Sequence, residues 1–428
     1  MVTAAVNAYD DIRREVLARM ERDRLDPERD APGIRRAVTE AVETYQTRAH
    51  LGDGRALSDP HDMAARILRS ITDFGPLTDL LARRDVEEVF IEGSRVTYLD
   101  AAGRLQGLAV PTTEAENRQV IDRLLATTQR HLDTTSPIVQ ARVLDGKARL
   151  TAAIPPIADR LSATIRRHIL RRESLTSMVE RASLTPAAAG FLWAAMQTAT
   201  SVVVSGPPGS GKTSMLSALI AAVPTNHCIR CCEEIRELSV PITHGAYYEA
   251  RPPAMDGSGA VSLRDLVRFV LAMRPDHIVV GEVRGAEAFE LTRAVNAGCG
   301  FAVTVHANSA RDALNALVNA AIMAGENVTE GIVRKVFASA IDLVVHLDRD
   351  DINRADPGQG IRREVMEVLA IAPSLHDDFT TEPVFLRHEL GGALTWTGAV
   401  PPSAERIERA LAEGLTLRSI LEGRRLPR

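Results

Sequence analysis

Residues 201–213 read Ser201-Val-Val-Val-Ser-Gly-Pro-Pro-Gly-Ser-Gly-Lys-Thr213, and this stretch decides the fold of the region around it. From Gly206 onward it fits the pattern G-x-x-x-x-G-K-[ST] completely. A short β-branched run precedes the loop, and residues that favour a helix follow it as far as Val223. Strand, glycine-rich loop and helix in this order predict a phosphate-binding loop, where backbone N–H groups and a helix N-terminus converge on phosphate oxygens.

Each residue of this loop has an expected role. Lys212 is expected to reach the β- and γ-phosphates of a nucleotide, and the hydroxyl of Thr213 is expected to bind Mg²⁺. The alternative is a chance glycine-rich turn, which the flanking strand and helix disfavour. Only three of the 51 basic residues are lysines, so a lysine in the loop indicates a position that needs a compact ammonium group. The predicted nucleotide-contacting residues are Gly206, Pro207, Pro208, Gly209, Ser210, Gly211, Lys212 and Thr213.

Beyond the loop, short apolar runs alternate with helical stretches, which is typical of βαβ units and a mostly parallel sheet. The sequence therefore predicts an α/β fold for this part of the chain. The predicted strands are Ser201–Ser205, Ile229–Cys232, Ile278–Val280 and Phe301–Val305, and the predicted helices are 213–222, 262–273 and 286–297.

Acidic side chains and one histidine follow these strands directly. The segment Glu233–Glu237 ends one strand, Glu282 ends another, and His306 ends a third. Ligands bind at the carboxyl edge of open α/β sheets, and nucleotide hydrolysis needs carboxylates that polarise water and hold Mg²⁺. His306 is a candidate sensor of the γ-phosphate. Solvated acidic turns and a structural histidine are the alternatives that the sequence leaves open.

The rest of the chain is predicted to contain a charged helical extension over 1–72, a small α+β domain over 73–170 and a linker over 171–184. The nucleotide-binding domain would then occupy 185–428. Arg166 lies at the end of the small domain, where a guanidinium could reach the γ-phosphate and couple hydrolysis to domain motion. Plain surface charge is the alternative in a chain so rich in arginine.

Composition narrows the possible classes of protein. Apolar residues make up 45% of the chain and charged residues 25%, which excludes a wholly disordered protein. The formal net charge of −5 argues against a dedicated nucleic-acid binder. We find no uninterrupted apolar run of about 18 residues, and Met1–Met20 is charged where a signal peptide would be apolar. These features predict a cytoplasmic protein without a transmembrane segment.

Three of the four cysteines cluster at Cys228, Cys231 and Cys232, and the fourth is Cys299. Four cysteines do not make a disulfide framework. A zinc or redox site would need a second ligand pair or a thioredoxin-like context, and the sequence shows neither. We therefore favour buried cysteines on a core strand.

Taken in order, the motifs resemble those of the type II/type IV secretion ATPases, particularly the CpaF-like branch that powers tight-adherence (Flp-type) pilus assembly. The resemblance runs from about Gly75 to Leu390. Besides the phosphate-binding loop, it rests on Gly75-Pro-Leu-Thr-Asp-Leu-Leu81, Ile154-Pro-Pro156, Ala163-Thr-Ile-Arg-Arg167, Arg251-Pro-Pro253, Leu263-Arg-Asp-Leu-Val-Arg268, Arg274-Pro-Asp276, Gly281-Glu-Val-Arg-Gly285 and His306-Ala-Asn-Ser309.

The resemblance implies a RecA-like P-loop core and an ATP- and Mg²⁺-dependent motor. It implies a homohexameric ring at the cytoplasmic face of an inner-membrane platform protein. Among the residues, it implies Glu237 as the group that polarises water and Glu234 and Glu282 as metal ligands. It also implies catalytic roles for His306 and for Arg166, which would face the nucleotide cleft.

Two positions depart from the family pattern. The acidic motif that usually reads Glu-Asp is Glu233-Glu234 here, and Cys299 stands where the family has a first histidine. The sequence predicts an ATP-hydrolysing motor for pilus assembly or secretion. A DNA-transfer motor of the same superfamily and a nucleotide-binding scaffold with little hydrolysis are the alternatives.

Overall fold

The computed structural model describes residues 2–27, 29–100, 103–128, 130–167, 173–238, 240, 242–251, 253, 258–296, 298–325, 327–350, 362–374 and 378–424. Contacts divide the chain into two units, Met1–Ile169 and Leu170–Arg428. The two units are described in turn.

The first unit begins with three helices that share a core of their own. They are α1 (Val2–Asp23), α2 (Ala31–His50) and α3 (Pro60–Thr72). Apolar residues three or four positions apart, such as Ile12 and Val16, face the helix–helix contact and are fully buried. The predicted helical character of this extension is confirmed.

An antiparallel sheet with one long packed helix makes up the rest of the first unit. In the described residues the strand order is β3-β2-β1-β6-β5-β4, and all of the pairs are antiparallel. Alternating buried residues, such as Val89 and Ile91 on β1, build the core against α5. The predicted α+β character is therefore confirmed. The elements are a 3-10 turn (Gly75–Leu77), α4 (Thr78–Ala82), β1 (Val86–Glu92), β2 (Arg95–Asp100), β3 (Leu105–Gly107), α5 (Glu114–Ala126), β4 (Ile138–Val143), β5 (Ala148–Ala153) and β6 (Ser162–Arg167).

The second unit is a sheet with helices on both faces. Its helices are α6 (Leu175–Glu180), α7 (Pro186–Met196), α8 (Lys212–Ala221), α9 (Leu263–Leu271), α10 (Glu287–Asn296), α11 (Ala310–Ile322), α12 (Glu330–Ala340), α13 (Ala404–Ala410) and α14 (Leu417–Leu421). Its strands are β7 (Val202–Gly206), β8 (Cys228–Glu233), β9 (His244–Glu249), β10 (His277–Val280), β11 (Gly300–His306), β12 (Leu343–Arg349), β13 (Arg363–Ala372), β14 (Thr380–Leu386) and β15 (Thr395–Trp396).

Parallel pairing aligns the carboxyl ends of the central strands. Within the described chain the order is β15-β14-β13-β12-β7-β11-β10-β8-β9, and the run from β12 to β9 is parallel. Strand β7 lies in the middle, and its residues Val202 and Val203 contribute to the apolar clusters on opposite faces of the sheet. The loop after β7 therefore leaves the sheet at its centre, with neighbouring strand ends on both sides.

The far side of the sheet, beyond β12, is antiparallel. Strand β13 is ten residues long, and it pairs antiparallel with β12 and β14. It is long because both faces are buried: Val365 and Val368 pack in one apolar cluster, and Leu369 and Ile371 pack in the other. In the part of the chain that the structure describes, no helix combines the length and apolar character needed to span a membrane.

Candidate nucleotide site

The phosphate-binding loop joins β7 to α8 as the sequence predicts. Gly206 ends the strand with φ +152°, and a Cβ there would lie 2.3 Å from the backbone oxygen of Leu347 on β12. Gly211 caps α8 with φ +96°, in the left-handed region that favours glycine. The loop can therefore pass close to β12 and start a helix whose first backbone N–H groups are free of intrahelical partners.

Lys212 lies inside the loop and is only 8% exposed. Its ammonium donates to the backbone oxygens of Gly206 and Pro207 at 2.9 and 3.0 Å. The same nitrogen lies 3.1 Å from Nδ1 of His306. The charge is thus held at the centre of the loop, where a bound phosphate would meet it.

His306 ends β11 and is paired in register with Gly206 on β7. Its Nε2 atom lies 2.5 Å from Oε1 of Glu282. Burial lowers the pKa of His306, and the ammonium of Lys212 lowers that pKa further. A neutral ring can accept from the ammonium of Lys212 through Nδ1, while Nε2 faces the Glu282 carboxylate.

Glu282 follows β10, and its second carboxylate oxygen has a cationic partner. Nη2 of Arg284 lies 2.5 Å from Oε2 of Glu282, and Nη1 of Arg284 lies 3.8 Å from Oε2 of Glu234. The structure therefore brings Lys212, His306, Glu282 and Glu234 into one connected group. Sequence reasoning did not single out Arg284, although the motif Gly281–Gly285 contains it and its place two residues after the acid was a usable signal.

The three glutamates at the end of β8 and in the turn after it differ in burial. Glu233 is 3% exposed, and its Oε1 accepts from the backbone nitrogens of Glu237 and Leu238 at 2.9 and 3.1 Å. Burial raises the pKa of Glu233 to about 7. By contrast, Glu234 is exposed and Glu237 is half-buried. Glu233 thus holds the turn together, and the other two glutamates are less buried.

The oxygen donors near the loop suit a magnesium ion. Thr213 lies in the first turn of α8, and the carboxylates of Glu234 and Glu282 meet at Arg284. Mg²⁺ prefers oxygen ligands and is usually bound by one or two protein groups together with substrate phosphates. These residues therefore fit the expected ion, which would polarise the phosphate oxygens when it is bound.

Two arginines beside the loop were missed from the sequence. A Cβ on Gly209 would lie 2.6 Å from Nη1 of Arg349, and a Cβ on Gly211 would lie 3.9 Å from Cδ of Arg363. Arg349 and Arg363 face each other in the register of β12 and β13. Because β12 pairs with β7 through tertiary contacts, no local motif indicated that these side chains lie near the loop.

Arg166 belongs to the first unit, on β6, and its Nε lies 3.5 Å from Oε1 of Glu88. Its predicted reach to the nucleotide stays a prediction.

The structure puts Cys299 just before β11, whereas His306 ends that strand. Because six residue steps separate Gly300 from His306, at about 3.3 Å a step, Cys299 lies roughly 20 Å from the loop edge. The cysteine that replaces the family's first histidine is therefore remote from the residues that contact Lys212.

The cysteine prediction is confirmed for Cys231 and Cys232, which are buried on β8 as free thiols. Burial raises the pKa of Cys232 to about 12. Such a thiol stays protonated and behaves as a small apolar side chain.

Comparison with known proteins agrees with this geometry. The family model described as "Type II/IV secretion system protein" matches residues 71–368. The chain belongs to this family. The predicted RecA-like α/β fold is confirmed, and so is the resemblance at the level of the type II/IV secretion ATPases. The narrower assignment to the CpaF-like pilus branch stays a prediction.

This chain aligns with most of the length of the relatives described next. A Mycobacterium tuberculosis (strain CDC 1551 / Oshkosh) protein, provisionally named for conjugal transfer, is 31% identical over 314 residues, which is 71% of this chain and 87% of the relative. The conjugal transfer protein TrbB of Rhizobium radiobacter is 28% identical over 69% of this chain and 87% of its own. Among solved structures, the pilus retraction motor PilT with bound ADP is 18% identical, with a TM-score of 0.48 over 66% of this chain and 79% of PilT.

Proposed function

We propose that this protein is a Mg²⁺-dependent ATPase that powers a secretion or pilus-assembly machine. The observation that carries the proposal is the meeting of Lys212, His306 and Glu282 at the phosphate-binding loop, with contacts of 3.1 and 2.5 Å. A structural glycine turn needs neither a buried lysine nor a histidine–carboxylate pair beside it. Family membership supports the same class of activity.

In this proposal each side chain has a defined task. Lys212 and the backbone N–H groups of the loop bind the β- and γ-phosphates, and Thr213 and Glu234 hold the magnesium ion with Glu282. Glu237 orients the attacking water and accepts its proton. His306 keeps Glu282 in place and lies where the γ-phosphate would be sensed.

We also propose the assembly that the family resemblance implies. Six copies would form a ring at the cytoplasmic face of the inner membrane, against a platform protein. Arg166 would reach the nucleotide when the first unit closes on it, and release of phosphate would reopen the cleft.

A second candidate is a motor that transfers DNA, because the two relatives described above carry names from conjugal transfer. The negative net charge favours a role through partner proteins over direct contact with DNA. Binding of a labelled duplex that weakens steeply between 50 and about 200 mM salt would support direct contact.

The test compares ATP turnover of the full-length wild type with Lys212→Ala and Glu282→Gln, together with particle mass by light scattering. The matched control is Lys335→Ala, since Lys335 is exposed on α12. We expect turnover in the wild type and the control, and loss of at least about 100-fold in the other two variants. Tight ATP binding without turnover in an assembled ring would contradict the proposal and support a nucleotide-binding scaffold.

A further inference from the structure

Arg284 joins two parts of the site that the sequence keeps 48 positions apart. Its guanidinium donates to Oε2 of Glu282 at 2.5 Å, and it lies 3.8 Å from Oε2 of Glu234. Glu282 lies two residues after the end of β10, whereas Glu234 belongs to the turn after β8. The contact with Glu282 is a hydrogen bond, whereas the contact with the exposed Glu234 is a longer ion pair, so the first is the stronger of the two.

The backbone of Arg284 is itself fixed. Its nitrogen donates to Oε1 of Glu287 at 2.6 Å, and the nitrogen of Gly285 donates to the same oxygen at 2.8 Å. Glu287 is buried and begins α10. One residue earlier, the nitrogen of Val283 donates to the oxygen of Thr304 at 2.9 Å. The arginine therefore projects from a backbone that is anchored on both sides.

The negative charges of three glutamates act on the guanidinium of Arg284. The hydrogen bond with Glu282 raises the pKa of Arg284, and the charges of Glu282, Glu234 and Glu237 raise it further. On the opposite side of Glu282, Oε1 contacts Nε2 of His306. One oxygen of the Glu282 carboxylate is thus hydrogen-bonded to Arg284, and the other faces the imidazole of His306 at 2.5 Å.

We propose that Arg284 is a positioning residue for nucleotide hydrolysis, which holds the Glu282 carboxylate against His306 and keeps the Glu234 turn beside it. The inference rests on the ATPase activity proposed above. Arg284 acts through these carboxylates, and nucleotide affinity depends mainly on Lys212 and the loop. Loss of Arg284 therefore slows turnover more than it weakens binding.

The experiment measures kcat, KM for MgATP and the affinity for a fluorescent ATP analogue on the full-length chain. The variants are Arg284→Gln, Arg284→Lys and the double variant Arg284→Gln/Glu282→Gln. The control is Arg293→Gln on α10, because Arg293 is 61% exposed and its partner Glu290 keeps a second arginine, Arg264. Arg293→Gln removes a guanidinium from the same unit without touching the site.

We expect Arg284→Gln to lower kcat by about 10- to 100-fold, as for other side chains that orient a ligating group, with analogue affinity within about threefold of wild type. Arg284→Lys should recover part of the loss. The double variant should turn over no more slowly than Glu282→Gln alone, because both changes act through one carboxylate.

Three results would overturn the inference: wild-type kcat in Arg284→Gln, an equal loss of affinity and kcat, or multiplied losses in the double variant. If wild type itself showed no turnover, the proposed function would fail and the role of Arg284 in hydrolysis with it. An active wild type with an unaffected Arg284→Gln variant would remove the role of Arg284 alone.

Discussion

The ammonium of Lys212 lies 3.1 Å from Nδ1 of His306, so the phosphate-binding loop is joined directly to the end of β11. Through Nε2, the same imidazole continues the connection to Glu282 at 2.5 Å. The imidazole ring of His306 thus joins the ammonium of Lys212 to the Glu282 carboxylate. Because the side chain of His306 is 44% exposed, its role depends on these two contacts and not on burial.

Replacing His306 with alanine should separate binding from turnover. Without the ring, Glu282 loses one of its two fixed partners, and we expect kcat to fall by about 10- to 100-fold while nucleotide affinity changes little. Steady-state ATPase kinetics and analogue titration measure the two quantities. The control is His388→Ala, since His388 is exposed. An equal fall in kcat for both variants would contradict the assignment.

Gly206→Ala should destabilise the second unit. The added Cβ would lie 2.3 Å from the backbone oxygen of Leu347, and φ at this position is +152°. Backbone cannot yield as a side-chain tip does, so we expect a loss of about 1–3 kcal/mol in the free energy of unfolding. Urea unfolding followed by circular dichroism measures the loss. Gly325→Ala is the matched control, because a Cβ there meets nothing within 4 Å, and a comparable loss in this variant would refute the steric explanation.

Two buried titratable groups of the second unit should have opposite effects on the free energy of unfolding between pH 5 and 7.5. Burial raises the pKa of Glu233 to about 7 and lowers the pKa of His277 to about 4. Protonated Glu233 stabilises the fold at low pH, and this contribution is lost as pH rises from 4.5 through 7. Neutral His277 stabilises the fold at high pH, and this contribution is lost as pH falls from 6.5 through 4. Each effect amounts to about 2 kcal/mol over this interval, so they largely cancel in the wild type.

Glu233→Gln should uncover the contribution of His277. Glutamine keeps an acceptor for the backbone nitrogens of Glu237 and Leu238 but does not titrate. The free energy of unfolding of this variant should therefore increase by about 2 kcal/mol between pH 5 and 7.5. The control is Glu234→Gln, whose side chain is 58% exposed. Equal pH profiles for the variant and the control would rule out a buried, titrating Glu233.

His277→Leu should change the pH dependence of the free energy of unfolding in the opposite direction. His277 is buried, its ring stacks on His227 with centroids 5.7 Å apart, and Asp276 precedes it. Leucine removes the titrating ring while Glu233 still titrates, so the change in the free energy of unfolding from pH 5 to 7.5 should become about 2 kcal/mol more negative than in the wild type. Urea titrations at the two pH values measure it, with His244→Asn at an exposed position as the control. A slope that stays near zero would show that His277 does not titrate as the structure indicates.

Local sequence was sufficient for the parts of the site that depend on one loop or one strand end. The glycines and Lys212 needed only the strand–loop–helix pattern, because the glycine conformations and the two backbone contacts of Lys212 lie within residues 206–213. Glu282 and His306 were found because strands that run parallel end at one edge of the sheet. The roles assigned to Glu237 and Arg166 remain predictions.

Local sequence alone could not tell which of the three glutamates at the end of β8 is buried. Glu233, Glu234 and Glu237 have the same chemistry, and only packing against Gly281 buries the first: a Cβ on Gly281 would lie 2.7 Å from Cγ of Glu233. Burial then raises the pKa of Glu233 and makes it an anchor for the turn. Exposure, which depends on the neighbouring strand, determines which carboxylates can meet a ligand.

The sequence by itself therefore determined the α/β fold, the phosphate-binding loop and the acids and histidine at its edge, because hydrophobic periodicity, glycine conformation and charge are properties of short segments. Tertiary structure alone decided that Arg284 bridges Glu282 and Glu234 and that Arg349 lies beside Gly209. These contacts join strands that are distant along the chain. Their distances are fixed by the pairing order of the sheet and by the burial of its two faces, which no local pattern encodes.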